Sequence, residues 1–373
     1  MKRILSIILL VALLLCGCAG TQVPAGNTED TTTQVTEPSK TLAVHYIDVG
    51  QADCALLECD GAYMIIDGGN VEDSSLVVSY LQSQGVEELE AVICSHAHED
   101  HVGGLPGVLA VYPTKAVYAP TKTYSSNCFD DFVRYTDQQD LDITIPKPGD
   151  SFALGDATVT VLGPVTSYSE TNNTSIVLMV QFGDTRFLFT GDMETKAETD
   201  MLEYWEGKMD LTADVLKVGH HGSSTSSGYR FLYEVDPVYA VISVGEGNQY
   251  GHPNEEPMSR LHDADVTIYR TDEMGNIIAV SDGQSISFTW GVSTAVPDGP
   301  EVPKENQTPT QSTGTTDSTE SSVRYIGNVN SKVLHLPTCS SLPSEKNQVV
   351  FDDYAEAIAA GYHDCSRCNP GSN

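Results

Sequence analysis

The amino-acid sequence predicts a layered α/β sandwich built around a metal site. Between residues 42 and 290, short runs rich in Val, Ile and Tyr alternate with stretches of helical spacing. One such run, residues 91–94, leads directly into a loop with three histidines in six residues. Strand pairs interleaved with helices are typical of domains in which helices cover packed sheets.

The elements of this core follow in order along the chain. Strands are predicted at 42–50, 54–59 and 63–69, each rich in β-branched or aromatic residues and most of them ending near Gly or Asp. Apolar residues at helical spacing predict a helix from Ser74 to Gly85, before the buried strand 91–94. Further strands are expected at 157–162, 176–182, 186–190, 239–244 and 277–280, and helices near 194–205 and 226–234.

Composition limits the kinds of partner. The chain has 373 residues, with 52 Asp and Glu against 19 Lys and Arg, a formal net charge of −33. It is long enough for one large domain with additions or for two domains, and its 40% hydrophobic residues can bury a core. So acidic a chain excludes a generic electrostatic grip on nucleic acid or anionic lipid, which needs clusters of Lys and Arg.

The first 40 residues read as an export signal and a tether. Lys2 and Arg3 precede an apolar run at 4–15, whose 12 residues fall short of the roughly 20 that span a bilayer. An uncleaved anchor is the alternative. The sequence around Cys16-Gly17-Cys18 resembles a bacterial lipobox, so we expect residues 1–18 to be a lipoprotein signal with lipidation at Cys18. Residues 19–40 then form a flexible tether, and the protein is expected to be extracytoplasmic, lipid-anchored to the bacterial cell membrane.

A second change in composition separates the core from a small C-terminal module. Residues 291–322 contain no Leu, Ile or aromatic residue, which predicts a disordered linker. The core at 41–290 holds 39 acidic and 11 basic residues, net −28, whereas the module at 323–373 has a net charge of −1. The acidity therefore belongs to the core.

The histidine-rich loop carries the main chemical signal. In an extended segment, residues two apart point the same way, so His96 and His98 can hold one ion. Asp100 and His101, just past a turn, can face a second ion beside it. Imidazole and carboxylate ligands suit zinc, manganese or iron. A solvated loop that happens to be His-rich is the alternative, but three of the chain's 10 histidines lie within this loop.

The loop resembles the hallmark His-x-His-x-Asp-His segment of the metallo-β-lactamase superfamily. Within that superfamily, residues 46–53 resemble the Asp-Val-Gly-Gln-Gly-Asp signature of ComEC-type competence proteins, with Ala52 where Gly is usual. Four further matches follow in the same order, at 65–69, 172–175, 190–192 and 216–223, and a fifth at 250–253. The resemblance implies an αββα sandwich and one or two divalent ions, Zn or Mn, in the core.

The resemblance also assigns roles. Asp192 would bridge two ions, although a turn Asp before a helix is the alternative. His220 or His221 would complete the second ion's shell. We favour His220 as ligand and His221 as the proton donor or anion contact. His252 either joins the site or caps a loop. The implied metal ligands are His96, His98, Asp100, His101, Asp192, His220 and His252.

Other residues would act beside the ions. Lys217 is expected as a cation at the site, or else as a surface residue, and Asp100, His221 and Lys217 form the expected catalytic set. Asp67 would orient the histidine loop, and Asp48, Asn173 and Ser175 would also support the ligands.

One departure from the family pattern limits the mechanism. Many members place a histidine between the two halves of the site, but no His lies between His101 and His220. Asn172, Asn173 or Ser175 occupies that region. The first ion would then rely on His96, His98, Asp192 and water, which disfavours glyoxalase-like and β-lactamase-like activity and leaves one-metal or manganese-dependent action open.

The C-terminal module carries a second predicted metal site. His335 and Cys339 form one chelating pair, and Cys365 and Cys368 form another. Two such pairs in a short segment predict a structural zinc. A disulfide is the alternative, because a lipoprotein faces an oxidising exterior. The segment resembles the Ada-type metal-binding module.

These observations together predict a surface-anchored, metal-dependent hydrolase. The resemblance implies a phosphodiesterase or nuclease acting on extracellular DNA. The alternatives are a hydrolase of another ester, such as a cell-wall phosphodiester, and a non-catalytic lipoprotein that handles DNA. Expected partners are DNA or another phosphodiester, the membrane, and other uptake or cell-wall components.

Overall fold

The structure is a computed structural model, and it describes residues 40–291, 324–329, 332–337, 339, 342, 348–364 and 370. The chain divides into two units, Met1–Ser39 and Lys40–Asn373, and every described residue belongs to the second. The predicted lipoprotein signal with Cys18, the tether up to residue 39, linker residues 292–322, Cys365 and Cys368 lie outside the described residues. None of the helices in the described ranges has the length and apolar character that crossing a bilayer requires.

The core contains fifteen strands within its described residues. In chain order they are β1 (Leu42–Tyr46), β2 (Ala55–Cys59), β3 (Ala62–Ile66), β4 (Ala91–Ile93), β5 (Val117–Tyr118), β6 (Ile143–Thr144), β7 (Ser151–Leu154), β8 (Ala157–Gly163), β9 (Val177–Phe182), β10 (Thr185–Phe189), β11 (Val215–Lys217), β12 (Tyr239–Ile242), β13 (Thr267–Arg270), β14 (Ile277–Ser281) and β15 (Ile286–Trp290).

Eight helices accompany these strands in the same part of the chain. They are α1 (Ser74–Ser83), α2 (Glu99–Val102), α3 (Leu105–Val111), α4 (Asn127–Gln138), α5 (Thr195–Trp205), α6 (Tyr229–Val235), α7 (Glu255–Asp263) and α8 (Thr271–Met274).

The strands form two sheets of similar construction. The eight-stranded sheet has the order β15-β14-β1-β2-β3-β4-β5-β6, and the seven-stranded sheet has the order β13-β12-β11-β10-β9-β8-β7. Each sheet is antiparallel in one part and becomes parallel in the other, from β3 to β6 and from β10 to β13. The carboxyl ends of parallel strands lie at one edge of a sheet, where polar loops can converge.

The sheets pack face to face and helices cover their outer faces. Between the sheets, Leu57 and Met64 of one are buried in the same cluster as Val180 and Phe187 of the other. The helices α1, α3 and α4 pack on the eight-stranded sheet, and α5, α6 and α7 pack on the seven-stranded sheet. The αββα sandwich that the sequence predicts is confirmed.

The structure also contains elements that the sequence analysis did not anticipate. Helix α4 buries Cys128, Phe129, Phe132 and Thr136, and the Ser126 hydroxyl caps its first turn by accepting a hydrogen bond from the Phe129 amide. Its apolar residues are few, because only one narrow face meets the core. The first predicted strand, 42–50, ends early at Tyr46, since the chain turns before Gly50, which has a φ of 67°.

The C-terminal module contains a small sheet of its own. Its described elements are β16 (Tyr325–Asn328), β17 (Val333–His335), β18 (Gln348–Phe351), α9 (Tyr354–Ala359) and β19 (His363–Asp364), with strand order β18-β16-β17-β19. Leu334, Phe351, Ala357 and Tyr362 make up its buried cluster. Val333 and Cys339 form a second buried cluster among the described residues of the module.

Candidate metal centre

The histidine loop leaves the buried strand β4 and turns into helix α2. Cys94 is fully buried, and its thiol donates a hydrogen bond to the His96 carbonyl at 3.0 Å, so it packs within the core. His98 precedes the first turn of α2, and the rings of His96 and His101 face each other with centroids 4.1 Å apart. Both of these rings are fully buried, which excludes a solvated loop.

Asp67 fixes the loop from behind. Its carboxylate accepts hydrogen bonds from the Ser95 amide and hydroxyl, both at 2.7 Å, and lies 2.9 Å from Nδ1 of His101. This contact leaves Nε2 of His101 available to a ligand, and Asp67 therefore lies where the sequence analysis places it. A Cβ on Gly104 would come within 1.9 Å of the Gly68 carbonyl, so glycine is required for the two loops to approach this closely.

Asp192 enters from the opposite sheet. It follows β10 after Gly191, whose φ is 50° and whose Cβ, if present, would lie 2.9 Å from Ser95. The hydroxyl of Ser175 accepts a hydrogen bond from the Asp192 amide at 3.0 Å, and Asn173 accepts one from the Glu194 amide at 3.1 Å. Both residues therefore hold the turn that carries Asp192.

His220 and His221 follow β11 with an unusual backbone. Both have positive φ, 50° and 52°, in the left-handed region that non-glycine residues rarely occupy. Such strain costs on the order of 1–3 kcal/mol per residue and is concentrated at functional sites. As a result the two neighbouring rings diverge, with centroids 6.3 Å apart.

Four side chains form a compact group that can hold a divalent ion. Asp100, His101, Asp192 and His221 each place one ligand atom within 4.8 Å of the others. His101 Nε2 lies 3.2 Å from Asp192 Oδ1, and His221 Nε2 lies 3.3 Å from Asp100 Oδ2. His101 Nε2, His221 Nε2 and Asp192 Oδ1 are buried, yet make no hydrogen bond in the described part of the chain. Buried polar atoms without partners are costly, and a cation among them would satisfy all three.

The two histidines lie opposite to the arrangement that the sequence favours. His221, expected as proton donor or anion contact, belongs to the four-residue group. His220, expected as the second ion's ligand, lies outside this group. Its Nε2 is 3.8 Å from Asp192 Oδ2, the carboxylate oxygen that does not face His101. The same oxygen is 3.8 Å from His96 Nε2, which in turn lies 3.1 Å from His98 Nδ1. The reversal arises from the left-handed backbone, which a sequence pattern does not encode.

Lys217 forms a buried ion pair behind His221. Its ammonium group is 2.8 Å from Asp53 Oδ2 and donates to the Val218 carbonyl at 3.1 Å, with the residue only 4% exposed. Lys217 is therefore not a surface residue, and it does not line the open cleft described below. It balances Asp53, whose other oxygen lies 3.1 Å from His221 Nδ1.

Asp53 is the supporting residue that the sequence analysis missed. It belongs to the segment 46–53 that the family resemblance singled out, and that signature was the available signal. Asp48, expected in such a role, instead accepts a hydrogen bond from the Gly50 amide at 3.2 Å, and its own amide donates to Asn276. These contacts shape the loop that leads to Gly50.

The carboxylates of the group favour a positive charge beside them, and the histidines favour ionised carboxylates. Burial opposes charge on His221, but the carboxylates of Asp192 and Asp53 raise its pKa to about 10. Burial likewise opposes charge on Asp192, but His101 and His221 hold its pKa well below the usual range. Burial keeps the pKa of His96 far below normal, with a contribution from His101, so His96 is a neutral imidazole, the form that binds metals.

The group lies at the floor of an open cleft of about 610 Å³. His252 lines the cleft wall, with its ring centroid 5.6 Å from that of His220 and its Nδ1 3.4 Å from the Gln51 amide nitrogen. It lies outside the four-residue group. The lining residues, all in the described core, include neither Lys nor Arg: Gln51, Asn70, Glu72, His98, Glu99, Asp100, Asn172, Asp192, His220, His221, Gln249, Tyr250 and His252.

The described part of the C-terminal module contains half of its predicted zinc site. His335 is buried, and its Nδ1 makes no hydrogen bond within the described residues. Cys339 is buried against Val333. The other two predicted ligands, Cys365 and Cys368, lie outside the described residues.

Comparison with known proteins agrees with this architecture. Residues 47–246 match the family model of the metallo-beta-lactamase superfamily, and residues 311–371 match that of the metal binding domain of Ada. Among solved structures, the metallo-beta-lactamase fold protein YhfI from Bacillus subtilis has 14% sequence identity and a TM-score of 0.47. The match covers 65% of this chain and all of that one.

Three curated relatives carry competence or recombination names. ComE operon protein 3 of Bacillus subtilis (strain 168) is 29% identical, with 63% of this chain and 32% of the relative covered. Competence protein ComA of Neisseria gonorrhoeae is 30% identical, and the match covers 64% of this chain and 32% of the relative. Recombination protein 2 of Haemophilus influenzae is 32% identical, and the match covers 65% of this chain and 29% of the relative. The chain thus spans about a third of the length of these relatives.

The match over residues 47–246, more than half of the chain, includes strands β2 to β12 and contains the histidine loop, Asp192 and both adjacent histidines. The chain therefore belongs to the metallo-β-lactamase superfamily and carries a C-terminal Ada-type metal-binding domain.

Proposed function

We propose that this protein is a metal-dependent phosphodiesterase that cleaves DNA at the outer face of a bacterial membrane. The observation that carries the proposal is the group of Asp100, His101, Asp192 and His221 at the floor of an open cleft, in which all but Asp100 are buried. Its unpartnered atoms suit a divalent ion. The competence and recombination names of the relatives support DNA as the substrate, and the lipobox-like sequence at Cys18 supports the location.

The chain's own residues hold and orient the reacting groups. Asp67 accepts from Nδ1 of His101, and the Ser243 carbonyl, 3.0 Å from Nδ1 of His221, does the same for that ring. Because each contact holds Nδ1, the Nε2 atoms of His101 and His221 face the middle of the four-residue group. A bound divalent ion lowers the pKa of water toward about 7 and polarises a phosphoryl oxygen. Asp100, the most exposed member of the group, is placed to orient the attacking water from the cleft side.

A different ester is the second candidate, and the charge of the core favours it. The core carries a net charge of −28, and Glu72, Glu99 and Asp100 line the cleft. A polyanion would approach this surface against repulsion. A smaller phosphodiester, such as one from the cell wall, carries fewer charges and would be repelled less strongly.

The test is a substrate panel with the full chain and added Mn²⁺ or Zn²⁺. We expect cleavage of single- or double-stranded DNA and of bis(p-nitrophenyl) phosphate. Asp192→Asn should lower kcat/KM more than about 100-fold, since even a supporting residue typically costs 10–100-fold. Asp131→Asn, in an exposed ion pair with Arg134, is the matched control and should cleave normally.

The panel also separates the alternatives. If the protein cleaves a cell-wall phosphodiester but not DNA, the proposed DNA substrate is wrong and the proposed metal-dependent mechanism stands. If no ester is cleaved while DNA still binds, the protein is a DNA-handling lipoprotein and the enzymatic proposal is wrong.

A further inference from the structure

We infer that a second cleft beside the metal centre binds the phosphates of the DNA strand beyond the bond that is cleaved. This second cleft has a volume of about 630 Å³ and is lined by Ala97 of the histidine loop and by residues from the segments 120–124, 145–148 and 164–174. Its size is within the range of ligand-binding sites. The inference rests on the proposed function for the identity of the strand, but not for the existence of the site.

The second cleft adjoins the open cleft that contains the metal centre. Ala97 lines the second cleft and its neighbour His98 lines the open cleft, and Thr171 and Asn172 divide in the same way. The ring of Tyr124, which lines the second cleft, has its centroid 6.4 Å from that of His98. A strand held at the metal centre can therefore continue into the second cleft without crossing the rest of the surface.

The charge of the second cleft is opposite to that of its surroundings. No acidic side chain is among its lining residues, although the core holds 39 of them. Lys147 lines the cleft, and Lys122 lies between the lining residues Thr121 and Thr123. The nearby Asp150 is engaged by the backbone, since its carboxylate accepts a hydrogen bond from the Lys147 amide at 2.8 Å. An anion therefore meets less repulsion here than in the open cleft.

Lys122 and Lys147 also differ from the other nine basic residues of the core. Each of those nine has an ion pair, a hydrogen bond from its charged group or an aromatic ring as its partner. The ammonium groups of Lys122 and Lys147 have no such partner within the described chain. A phosphate that binds them breaks no existing ion pair. Two lysines offset only a small part of the core's net charge of −28, so DNA still approaches the protein against repulsion.

Hydroxyl groups and aromatic rings complete the lining and favour a nucleotide strand. The side-chain hydroxyls of Thr123, Thr166 and Ser167 make no hydrogen bond to any described residue, so they are available to phosphate oxygens. Tyr124 and Tyr168 add two half-buried rings, and aromatic side chains stack on nucleic-acid bases whatever the sequence. A polyol phosphate chain from the cell wall offers no ring to stack on them.

Binding of oligothymidylates to the full chain with Mn²⁺ tests the inference. The oligomers carry phosphorothioate linkages, which resist cleavage, and a fluorescein label whose anisotropy reports binding. Affinity should rise from two to eight nucleotides, because the single linkage of the dimer is held at the metal centre and none remains for the second cleft. Lys122→Gln/Lys147→Gln should weaken binding of the octamer about 10-fold at 50 mM KCl. The slope of log Ka against log [KCl] should become more positive by about 1.4, the value for two phosphate contacts on a single strand.

Two further double variants are the matched controls. Lys115→Gln/Arg230→Gln removes the same two charges from exposed ion pairs elsewhere and should bind the octamer within about twofold of wild type. Lys122→Arg/Lys147→Arg keeps both charges and should also bind normally. If the two glutamine double variants lose the same affinity, only the overall charge matters and the inference is wrong.

A competitor distinguishes the two kinds of phosphodiester chain. If a glycerol phosphate octamer binds more tightly than the oligothymidylate octamer, and does so through the same two lysines, the second cleft belongs to a polyol phosphate and the assignment to DNA is overturned. Failure of the protein to cleave any ester would leave the binding series unchanged. The inference and the proposed function therefore fail separately.

Discussion

At the scale of single residues, the ion pair of Lys217 and Asp53 is the clearest case of a side chain whose role depends on what surrounds it. The pair is buried and lies directly behind His221. Removing one member of a buried pair leaves an uncompensated charge and typically costs about 3–5 kcal/mol. The pair therefore ties the stability of the core to the position of one metal ligand.

We predict that Lys217→Met lowers the free energy of unfolding by about 3–5 kcal/mol and weakens metal binding about 10–100-fold. Asp53 keeps its carboxylate in the variant but loses its cation. Urea unfolding and Mn²⁺ titration measure the two effects. Adding Asp53→Asn to the variant should restore part of the stability, since the unpaired charge is then removed.

Lys115→Met is the control for this prediction. Lys115 is half-exposed and pairs with Glu88 and Glu90 at the surface, where substitutions usually change stability by less than about 0.5 kcal/mol. Equal behaviour of the two lysine variants would show that the buried pair has no special role.

The structure brings together the residues that the sequence singles out in the histidine loop, Asp67 and Asp192, whereas the surroundings of their neighbours could not be predicted. The loop could be identified because its spacing alone encodes a metal site. The roles of His220 and His221 could not, since adjacent residues in a left-handed backbone point in directions that no periodicity describes. The burial of Lys217 could not be predicted, because it depends on an ion pair with Asp53, which is distant in sequence.

At the scale of elements, one buried carboxylate joins helix α5, which follows Asp192, to the loop that follows His221. Glu198 lies on α5, the helix that follows Asp192, and is 3% exposed. It accepts hydrogen bonds from the amides of Ser227 and Gly228, in the loop that follows His221. The helix and the loop are thereby held together behind the metal centre.

This contact predicts a pH-dependent stability. Burial raises the pKa of Glu198 from the ordinary 4.5 to about 7, against the opposing effect of the two amides. Between these values the folded protein keeps a proton that the unfolded chain has lost, so this contribution to stability falls as the pH rises from about 4.5 to 7. Above pH 7 the loss is complete, at about 3 kcal/mol.

Glu198→Gln should remove this dependence. Relative to wild type, the variant should become more stable by about 3 kcal/mol as the pH rises from 5 to 8, as measured by urea unfolding at both values. Glu203→Gln, on the exposed side of the same helix, should follow the wild type. A constant difference between Glu198→Gln and wild type across this range would contradict the assignment.

The sequence predicted most of the central elements to within a few residues, but not the peripheral ones. β2, β8, β9 and β10 have dense β-branched and apolar runs, because both of their faces are covered. β5 and β6 have two residues each, too few for any pattern to be visible. Helix α4 buries only a narrow face, so its many charged residues conceal its periodicity.

At the scale of the whole molecule, the distribution of charge should determine the salt dependence of catalysis. The core carries a net charge of −28 and no basic residue lines the cleft within the described chain. We predict that kcat/KM for a DNA substrate rises as KCl increases from 20 to 200 mM, because salt screens repulsion between the two anions.

The control for this prediction is a substrate with a single charge. Bis(p-nitrophenyl) phosphate should respond much less to the same change in KCl. A steep fall of kcat/KM for DNA with salt, as in proteins that neutralise phosphates with Lys and Arg, would show that a basic surface outside the cleft recognises DNA.

The position of the metal centre between the sheets has a mechanical consequence. His101 follows the eight-stranded sheet, whereas Asp192 and His221 follow the seven-stranded sheet, and the two sets are separated by about 90 or more residues of chain. A bound ion would thus act as a reversible cross-link that closes a long loop, as a disulfide does in proteins that contain one. Chelation should then loosen the two halves of the sandwich together, so that amide hydrogens at the carboxyl ends of β4, β10 and β11 exchange faster in concert.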